Sequence, residues 1–433
     1  MELRRPGLVA ATSAAVGIVL VAVAIVVAEL VETDVRVHWP PLHAVWGPRF
    51  DGRIVPAVLL GVVLALSLPS LLSRLSWAWA VVVSTLASWA WTLALALSDG
   101  PYGLSRVMER SSEYPATART IDDVPGFLAE FIDRIPEPAA DNWPIHVAGH
   151  PPGAVLPFIG LDRIGVQDPF WIAVAVVTVG ASAVAAVMLT IGELGDRAVA
   201  RRAGPWLALA PLVVWAGVSA DWMFAAVGAW GLYLLARAAV RDSVPAALGA
   251  GLVLGYCVFL SYGLLLLGIL AVAVLWVARS WRPLPWALGA ALAVAGTFAV
   301  LGFAWWDAYP VLHERYLAGI ASERPYWYWV WGSVAAWSCT VGVATWAAFP
   351  LLWHRLRSDA RDALGVLVGA GLLTIAAATV SGMSKAEVER IWLPFTVWIV
   401  AVGAVLPRRW ARPLLLVQVL VAVLAQTLII TRW

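Results

Sequence analysis

Lysine is almost absent from this 433-residue chain: Lys385 is the only one, and every other basic residue is arginine. Charge of either sign is scarce. Only 13% of the residues are charged and 62% are hydrophobic, whereas a soluble chain carries about a quarter charged residues. Cysteine is scarce as well. Cys257 and Cys339 stand far apart, each inside an apolar run, a pattern that speaks for two inert buried thiols and against a disulfide scaffold or a cysteine metal site. Gly-x-Ser-x-Gly and a phosphate-cradling glycine loop are both missing, so a serine hydrolase of the familiar type and a cytoplasmic nucleotide enzyme lack support. The net charge of +2 is too small to point to a nucleic-acid partner.

What the chain has instead is long apolar runs along its whole length. About 20 helical residues cover the hydrocarbon core of a bilayer, at about 1.5 Å each. Runs of roughly that length stand at 8–30, 54–72, 76–98, 169–191, 206–219, 221–240, 285–304, 329–353, 363–381, 392–407 and 413–430. The stretch 245–278 is too long for one span and is interrupted at Ser261-Tyr262-Gly263, which splits it into two short helices. The expected fold is all-α: one polytopic membrane domain of about 13 transmembrane helices, with roughly 11–14 as the range. No small-residue cleavage site follows the first run, which is read as a retained helix rather than a signal peptide.

Arginine orients the spans. With the N-terminus inside, the short inner connections hold Arg4-Arg5, Arg74, Arg197 with Arg201-Arg202, Arg237 with Arg241, and Arg279 with Arg282. Arg355, Arg357, Arg361, Arg408, Arg409 and Arg412 follow on the same side, as the positive-inside rule requires. The outer side then receives the longer segments 31–53, 99–168 and 305–328, the polar turn 382–391, five of the six histidines and most carboxylates. The expectation is a multi-pass cell-membrane protein, N-terminus cytoplasmic, with its chemistry on the extracytoplasmic face.

The largest outer segment, 99–168, carries patterned structure. Across 124–135, Phe127, Phe131 and Ile135 share one helical stripe opposite Glu130, Asp133 and Arg134. That is an amphipathic helix, lying either at the membrane surface or packed on the spans. The apolar run 153–161, after His150-Pro151-Pro152-Gly153, is too short to cross and fits a re-entrant or juxtamembrane helix.

Four outer segments place ionisable residues against span ends. They hold Asp99 with Glu109, Arg110 and Glu113-Tyr114; Asp122-Asp123 with His146 and His150; His313 to Tyr316 with Glu323, Arg324 and Tyr326; and Ser384 to Trp392, with Lys385, Glu387, Glu389 and Arg390. Such residues are expensive beside a span unless they pair or face a polar cavity. The last group reads either as a self-neutralised solvated turn or as an anion site built on Arg390 and Lys385. Arg315 and Arg324 carry the same two readings. Tyr326, Trp327, Tyr328, Trp329 and Trp331 read first as an interfacial belt and second as a sugar-stacking surface. His38 and His43 read as structural, and His150, at the head of the Pro-Pro-Gly element, as a candidate for function.

A large outer loop that opens on Asp99 just beyond a span, continues through Glu113-Tyr114 and juxtamembrane helices, and reaches His150-Pro151-Pro152-Gly153 is similar to the GT-C superfamily of membrane glycosyltransferases. The turn from Ser384 to Phe395 resembles segments of actinobacterial members, lipoarabinomannan methylthioxylosyltransferases among them. The likeness spans the topology of nearly the whole chain through short motifs. It implies inverting transfer of a sugar from a polyprenyl-phosphate donor to a hydroxyl of a cell-envelope glycan or glycolipid acceptor. A carboxylate must take the acceptor proton, and cations or donors must stabilise the departing phosphate. The resemblance implies Asp99 or Glu113 as base, and His150, Arg324 and Arg390 as phosphate contacts. Tyr114, Tyr326 and Glu389 complete the substrate-binding set. Two spans precede the loop, so Asp34 or Asp51 in 31–53 stand as alternative bases. No cofactor is identified, and no carboxylate spacing specifies a metal site, which leaves a divalent-metal requirement open. The competing class is a multi-span transporter or lipid flippase, which would bury charges at span centres; a non-catalytic subunit of an envelope-assembly complex is the third reading.

Overall fold

The computed structural model describes residues 6–31 and 34–431, and 78% of the chain is helical. Arg4 and Arg5 lie outside the described residues. In chain order the principal helices are α1 (Pro6–Leu30), α2 (Val55–Arg74), α3 (Trp77–Ala96), α4 (Pro169–Leu194), α5 (Arg197–Leu209), α6 (Ala220–Arg241) and α7 (Val244–Leu260). After them come α8 (Leu267–Ala278), α9 (Leu284–Val300), α10 (Tyr326–Ser358), α11 (Ala363–Ser381), α12 (Leu393–Val400) and α13 (Arg408–Leu428). Eight of these, α1–α4, α6, α10, α11 and α13, are long and apolar enough to cross a membrane. The regions of α7, α8 and α12 form shorter apolar helices, and α9 turns by 71° into the helix Trp305–Ala318. The chain is a nearly all-α, multi-pass membrane protein.

Its outer surface explains why a bilayer is the required solvent. Along α1, Val16, Ile18, Val19, Val23 and Val26 are exposed, as are Leu59 and Val63 on α2 and Leu288 and Leu292 on α9. Apolar area this extensive is not sustained in water but matches lipid tails. Inside, α6 is buried along most of its length between α4 and α7.

Helix ends follow local chemistry. Ser76, Asp196, Ser219, Ser243 and Asp362 cap the starts of α3, α5, α6, α7 and α11 with side-chain oxygens, supplying partners for first-turn N–H groups. The break expected within 245–278 falls at Ser261, where α7 stops and a 3-10 turn, Tyr262–Leu266, leads into α8. The run 206–219 behaves otherwise. Helix α5 starts earlier, at Arg197, and stops at Leu209; Ala210 is extended. Pro211 supplies the reason, because a proline disfavours the helical conformation in the residue before it. Buried carbonyls of Ala210, Pro211 and Leu212 are then satisfied by the turn Val213–Ala216.

Helix α10 is interrupted at Gly342, whose φ of 72° is outside the helical range. The freed backbone groups find a partner in buried Gln418 of α13. Its amide donates to the Val341 carbonyl at 2.8 Å and accepts from the Ala344 N–H at 3.3 Å. A polar side chain mid-helix is thereby consumed by a backbone repair.

The loops gather at one end of the bundle. There β1 (Ala44–Trp46) pairs antiparallel with β2 (Ile429–Thr431), so the segment after α1 and the strand after α13 share a side. The amphipathic stripe in 124–135 is real, but its helix covers only Val124–Ala129. Phe127, Phe131 and Ile135 are buried, with Phe131 stacked on Trp143 and edge-on to Phe303. The stripe therefore packs on the protein. The Pro-Pro-Gly element continues as a 3-10 turn, Pro152–Ala154, and a helix Leu156–Arg163. It docks on α7 through Tyr256, whose hydroxyl donates to the Gly153 carbonyl at 2.8 Å. A Cβ on Gly153 would stand 2.4 Å from the Phe259 carbonyl oxygen, so only glycine permits this approach. The arginine-rich connections occupy the opposite, basic end, where Arg201 donates to the carbonyls of Leu72 and Leu75 and Arg202 to that of Leu406.

Candidate active site

The site is assembled at the loop end from segments remote from one another in the chain. Ser219 caps α6 and accepts from the Asp221 N–H at 3.1 Å; its hydroxyl donates to Asp221 Oδ2 at 2.9 Å. This holds a buried carboxylate at the mouth of a span. Arg390 reaches the same oxygen from the segment between α11 and α12, at 3.0 Å. That segment reaches its helical turn, Val388–Ile391, through Ala386 and Glu387, which have φ of 62° and 58°. Two successive non-glycine residues in the left-handed region cost about 1–3 kcal/mol each, so the surrounding contacts must over-determine them. They do: Ala386, Val388, Glu389 and Arg390 are all buried. The segment is not a solvated turn.

Glu387 bridges the cations. Its carboxylate lies 3.2 Å from Arg390, 3.5 Å from Arg324 and 3.7 Å from His43 Nδ1. Arg324 also donates to the Lys385 carbonyl at 2.8 Å while Lys385 Nζ donates to the Arg324 carbonyl at 3.0 Å, a reciprocal clamp between the two loops. Glu389 Oε1 accepts from the His43 N–H at 2.8 Å, and its buried Oε2 has no hydrogen-bond partner among the described residues. Glu113, buried just before the short helix Tyr114–Ala118, pairs with His146 at 2.6 Å.

Electrostatics sorts these groups. Burial works against the Glu387 charge, but Arg390, His43, Arg324 and His146 outweigh it and hold the carboxyl at about 2. For Glu389 burial dominates; backbone N–H groups and Arg324 oppose it, the Glu387 charge adds to it, and the carboxyl is pushed up to about 7. The Arg390 guanidinium is held charged: burial disfavours the cation, and Asp221, Glu387, Glu113 and Tyr114 together overcome that. Burial is also the main force lowering His150 below its ordinary range, helped by Arg390 and His146 and opposed by Asp221 and a backbone bond. His150 Nδ1 lies 2.9 Å from the His146 carbonyl. A carbonyl only accepts, so Nδ1 carries the proton and Nε2 is left as an acceptor.

Behind the cluster lies a cavity of about 540 Å³. His150, Asp221 and Arg390 form its polar wall, and Tyr262, Tyr309, Tyr316 and Ser384 add hydroxyls. The Tyr262 hydroxyl is buried without a hydrogen-bond partner among the described residues. Apart from Ser261 and Ser381 the rest is apolar, with Phe224, Leu264–Leu266, Leu312, Ile391, Trp392 and Phe395. The cavity is amphiphilic: a charged head region opening into an apolar chamber between helices.

The residues singled out in sequence divide. Glu113, His150, Arg324, Glu389 and Arg390 all join the cluster or its immediate neighbours. Tyr114 is fully buried, stacked on Phe158 at 5.4 Å and edge-on to His150 at 5.7 Å; it braces His150 and does not line the cavity. Asp99 lies elsewhere. Its carboxylate takes Arg49 at 2.6 Å and Gln426 at 3.3 Å, beside the β1–β2 ribbon, and it is not among the cavity residues. Tyr326 donates to the Val380 carbonyl at 2.9 Å, a strut between α10 and the end of α11. Asp34 pairs with Arg36, and Asp51 pairs with Arg53, both away from the cavity.

Three contributors were missed. Asp221, at a span end, was not singled out, His43 read as structural, and Glu387 read only as part of a self-neutralised turn. The available signal was Ser219-x-Asp221 opening an apolar run, which demands a buried partner for its acid, although nothing in sequence names Arg390. His146 and His150 stand four residues apart, a spacing that can serve a metal on one helix face, but here they turn to different partners. Among the described residues no three of His, Cys, Asp or Glu converge as a metal site. No family model, no curated protein and no solved structure matches this chain.

Proposed function

We propose that the chain is a membrane glycosyltransferase that moves a sugar from a polyprenyl-phosphate donor to a hydroxyl of a cell-envelope glycan or glycolipid. The observation that carries this reading is the amphiphilic cavity, whose charged wall of His150, Asp221 and Arg390 opens into an apolar chamber. A lipid phosphate has the same two-part chemistry. The reading places about 13 spans across the bilayer, counting α5 with its following turns, α7, α8, α9 and α12 beside the eight long helices. The shared side of β1, which follows α1, and β2, which follows α13, supports an even number of crossings between them, as a total of 13 requires. The loop end faces the extracytoplasmic side and the arginine-rich end the cytoplasm, in keeping with the positive-inside rule.

Each residue then has a task. Arg390, held charged and oriented by Asp221 and Glu387, meets the phosphate whose charge grows as the glycosidic bond breaks, with Arg324 adding positive potential. The Glu113 carboxylate, paired with His146, takes the acceptor proton. His150 is neutral with Nε2 as acceptor, so it receives a sugar hydroxyl and is not a cationic phosphate contact. Tyr262 offers its unpaired hydroxyl to the same ligand. Asp99 stabilises the ribbon and its Arg49.

The test is transfer by purified protein given labelled polyprenyl-phosphate sugars and envelope acceptors. Glu113→Gln is expected to lose at least about a hundredfold of activity, the range of general-base catalysis, while Asp99→Asn retains it. Full activity in Glu113→Gln overturns the base assignment. No transfer by the intact protein, together with flux of lipid-linked sugar across vesicles, assigns it to the transporter class instead.

A further inference from the structure

At the basic end, remote from the donor cavity, a second cavity of about 670 Å³ is framed by α2, α5 and α13 and by the turn after α12. Arg201, Arg202, Arg408, Arg409 and Arg412 line it, and among the described residues no carboxylate does. Among the described residues none of these five arginines forms an ion pair. By contrast Arg241, Arg282 and Arg355 at the same end each face an acid. Positive-inside sorting accounts for arginines in the loops but not for five of them turned onto one concavity with no counter-charge among the described residues.

The positions are built rather than incidental. Arg201 and Arg202 lie on adjacent positions of α5, and their guanidinium groups rest on the carbonyls of Leu72, Leu75 and Leu406, which end α2 and the turn after α12. Those bonds use one or two N–H groups of each fork and leave donors over. Arg408 and Arg409 open α13 and Arg412 follows one turn on, so the positive end of a 21-residue helix adds to the same field. Arg412 also donates to Ser70 Oγ at 3.5 Å, bringing a hydroxyl into the set. Apart from Ser73, the remaining lining, Pro69, Trp206, Leu406 and Leu415 among it, is apolar.

We infer that this cavity binds a phosphate-bearing anion, either the headgroup of an anionic phospholipid or a soluble polyphosphate. Guanidinium forks match phosphate oxygens in geometry as well as charge. The apolar wall suits the glycerol and first methylenes of a lipid, while the openness of the site to the basic face admits a soluble ion. The site is independent of the donor cavity and stands whether or not the chain transfers sugars.

Calorimetric titration of the full-length protein in neutral detergent tests it with three probes: dihexanoyl phosphatidylglycerol, dihexanoyl phosphatidylcholine and inorganic pyrophosphate. Binding of phosphatidylglycerol but not pyrophosphate identifies the lipid source, and the converse identifies the soluble one. The double variant Arg408→Gln with Arg412→Gln, both exposed positions, is expected to weaken the binding probe roughly thirtyfold, at about one Arg-sized increment per site. The control, Arg279→Gln with Arg282→Gln, removes the same charge from the same end outside the cavity and is expected to stay within about threefold. Equal loss in variant and control, equal binding of phosphatidylcholine, or no binding of either anion overturns the inference.

Discussion

At the loop end Arg324 and Arg390 are buried against Glu387 and Asp221; at the basic end Arg201 and Arg202 rest on helix-end carbonyls, while Arg408, Arg409 and Arg412 stay exposed. The residue type is the same and the energetics are not. A buried guanidinium loses its hydration and must recover it from carboxylates held in place, which is why the 382–392 segment bears two left-handed residues to deliver Glu387 and Arg390. An exposed guanidinium needs no partner and can wait for one from solution or from lipid. The first arrangement is costly to dismantle, and the second is free to bind.

That contrast can be broken or sharpened by three measurements. The largest effect is expected from Arg390→Met, which strands Asp221 and leaves Glu387 with one cation fewer. Removing one partner of a buried pair costs about 3–5 kcal/mol, seen as a lowered unfolding midpoint in detergent; a loss below about 1 kcal/mol would erase the distinction between the two ends. Next comes pH. The Glu389 carboxyl is raised from 4.5 to about 7, so the folded state holds its proton more tightly than the unfolded chain. Stability from this group is full below pH 4.5 and declines as pH rises through 7, by about 3 kcal/mol. Glu389→Gln should flatten that decline in a melting series across the window; an unchanged slope refutes the assignment. Glu387 has the opposite sign, its contribution being lost only as pH falls from 4.5 toward 2. The smallest effect belongs to Arg282→Ala, which breaks an exposed pair with Asp242 and should cost only about 0.5 kcal/mol in the same melting assay.

The fold was legible where a single local signal decides it. Apolar runs mark α1 to α4, and Ser261-Tyr262-Gly263 marks the break between α7 and α8. Pro211 broke the run at 206–219, although the run by itself reads as one uninterrupted span. The site was half legible. Glu113, His150, Glu389 and Arg390 stand out as polar residues beside spans, where only a partner or a cavity makes them affordable. Asp99 stands out on the same ground, yet its partner is Arg49 on the ribbon, because position beside a span says nothing about which charge lies across the gap. Asp221 and His43 were passed over for the complementary reason: each looks ordinary until Arg390 and Glu387 are brought against it from more than 160 residues away.

The amino-acid sequence by itself determined that this is a multi-pass membrane protein, since too few charges over so many apolar runs leave no soluble solution. It also determined that the lone lysine falls in a polar turn and that arginine crowds the short connections. Only the tertiary structure decided which charges meet. Helix packing spends the apolar signal that sequence displays, whereas ion pairing depends on distances of about 3 Å between loops remote in the chain, and no periodicity encodes those. Thus Lys385 serves by clamping its segment to Arg324, and the cavity beside that clamp exists only where α6, the turn Tyr262–Leu266, the helix Trp305–Ala318, α11 and α12 come together.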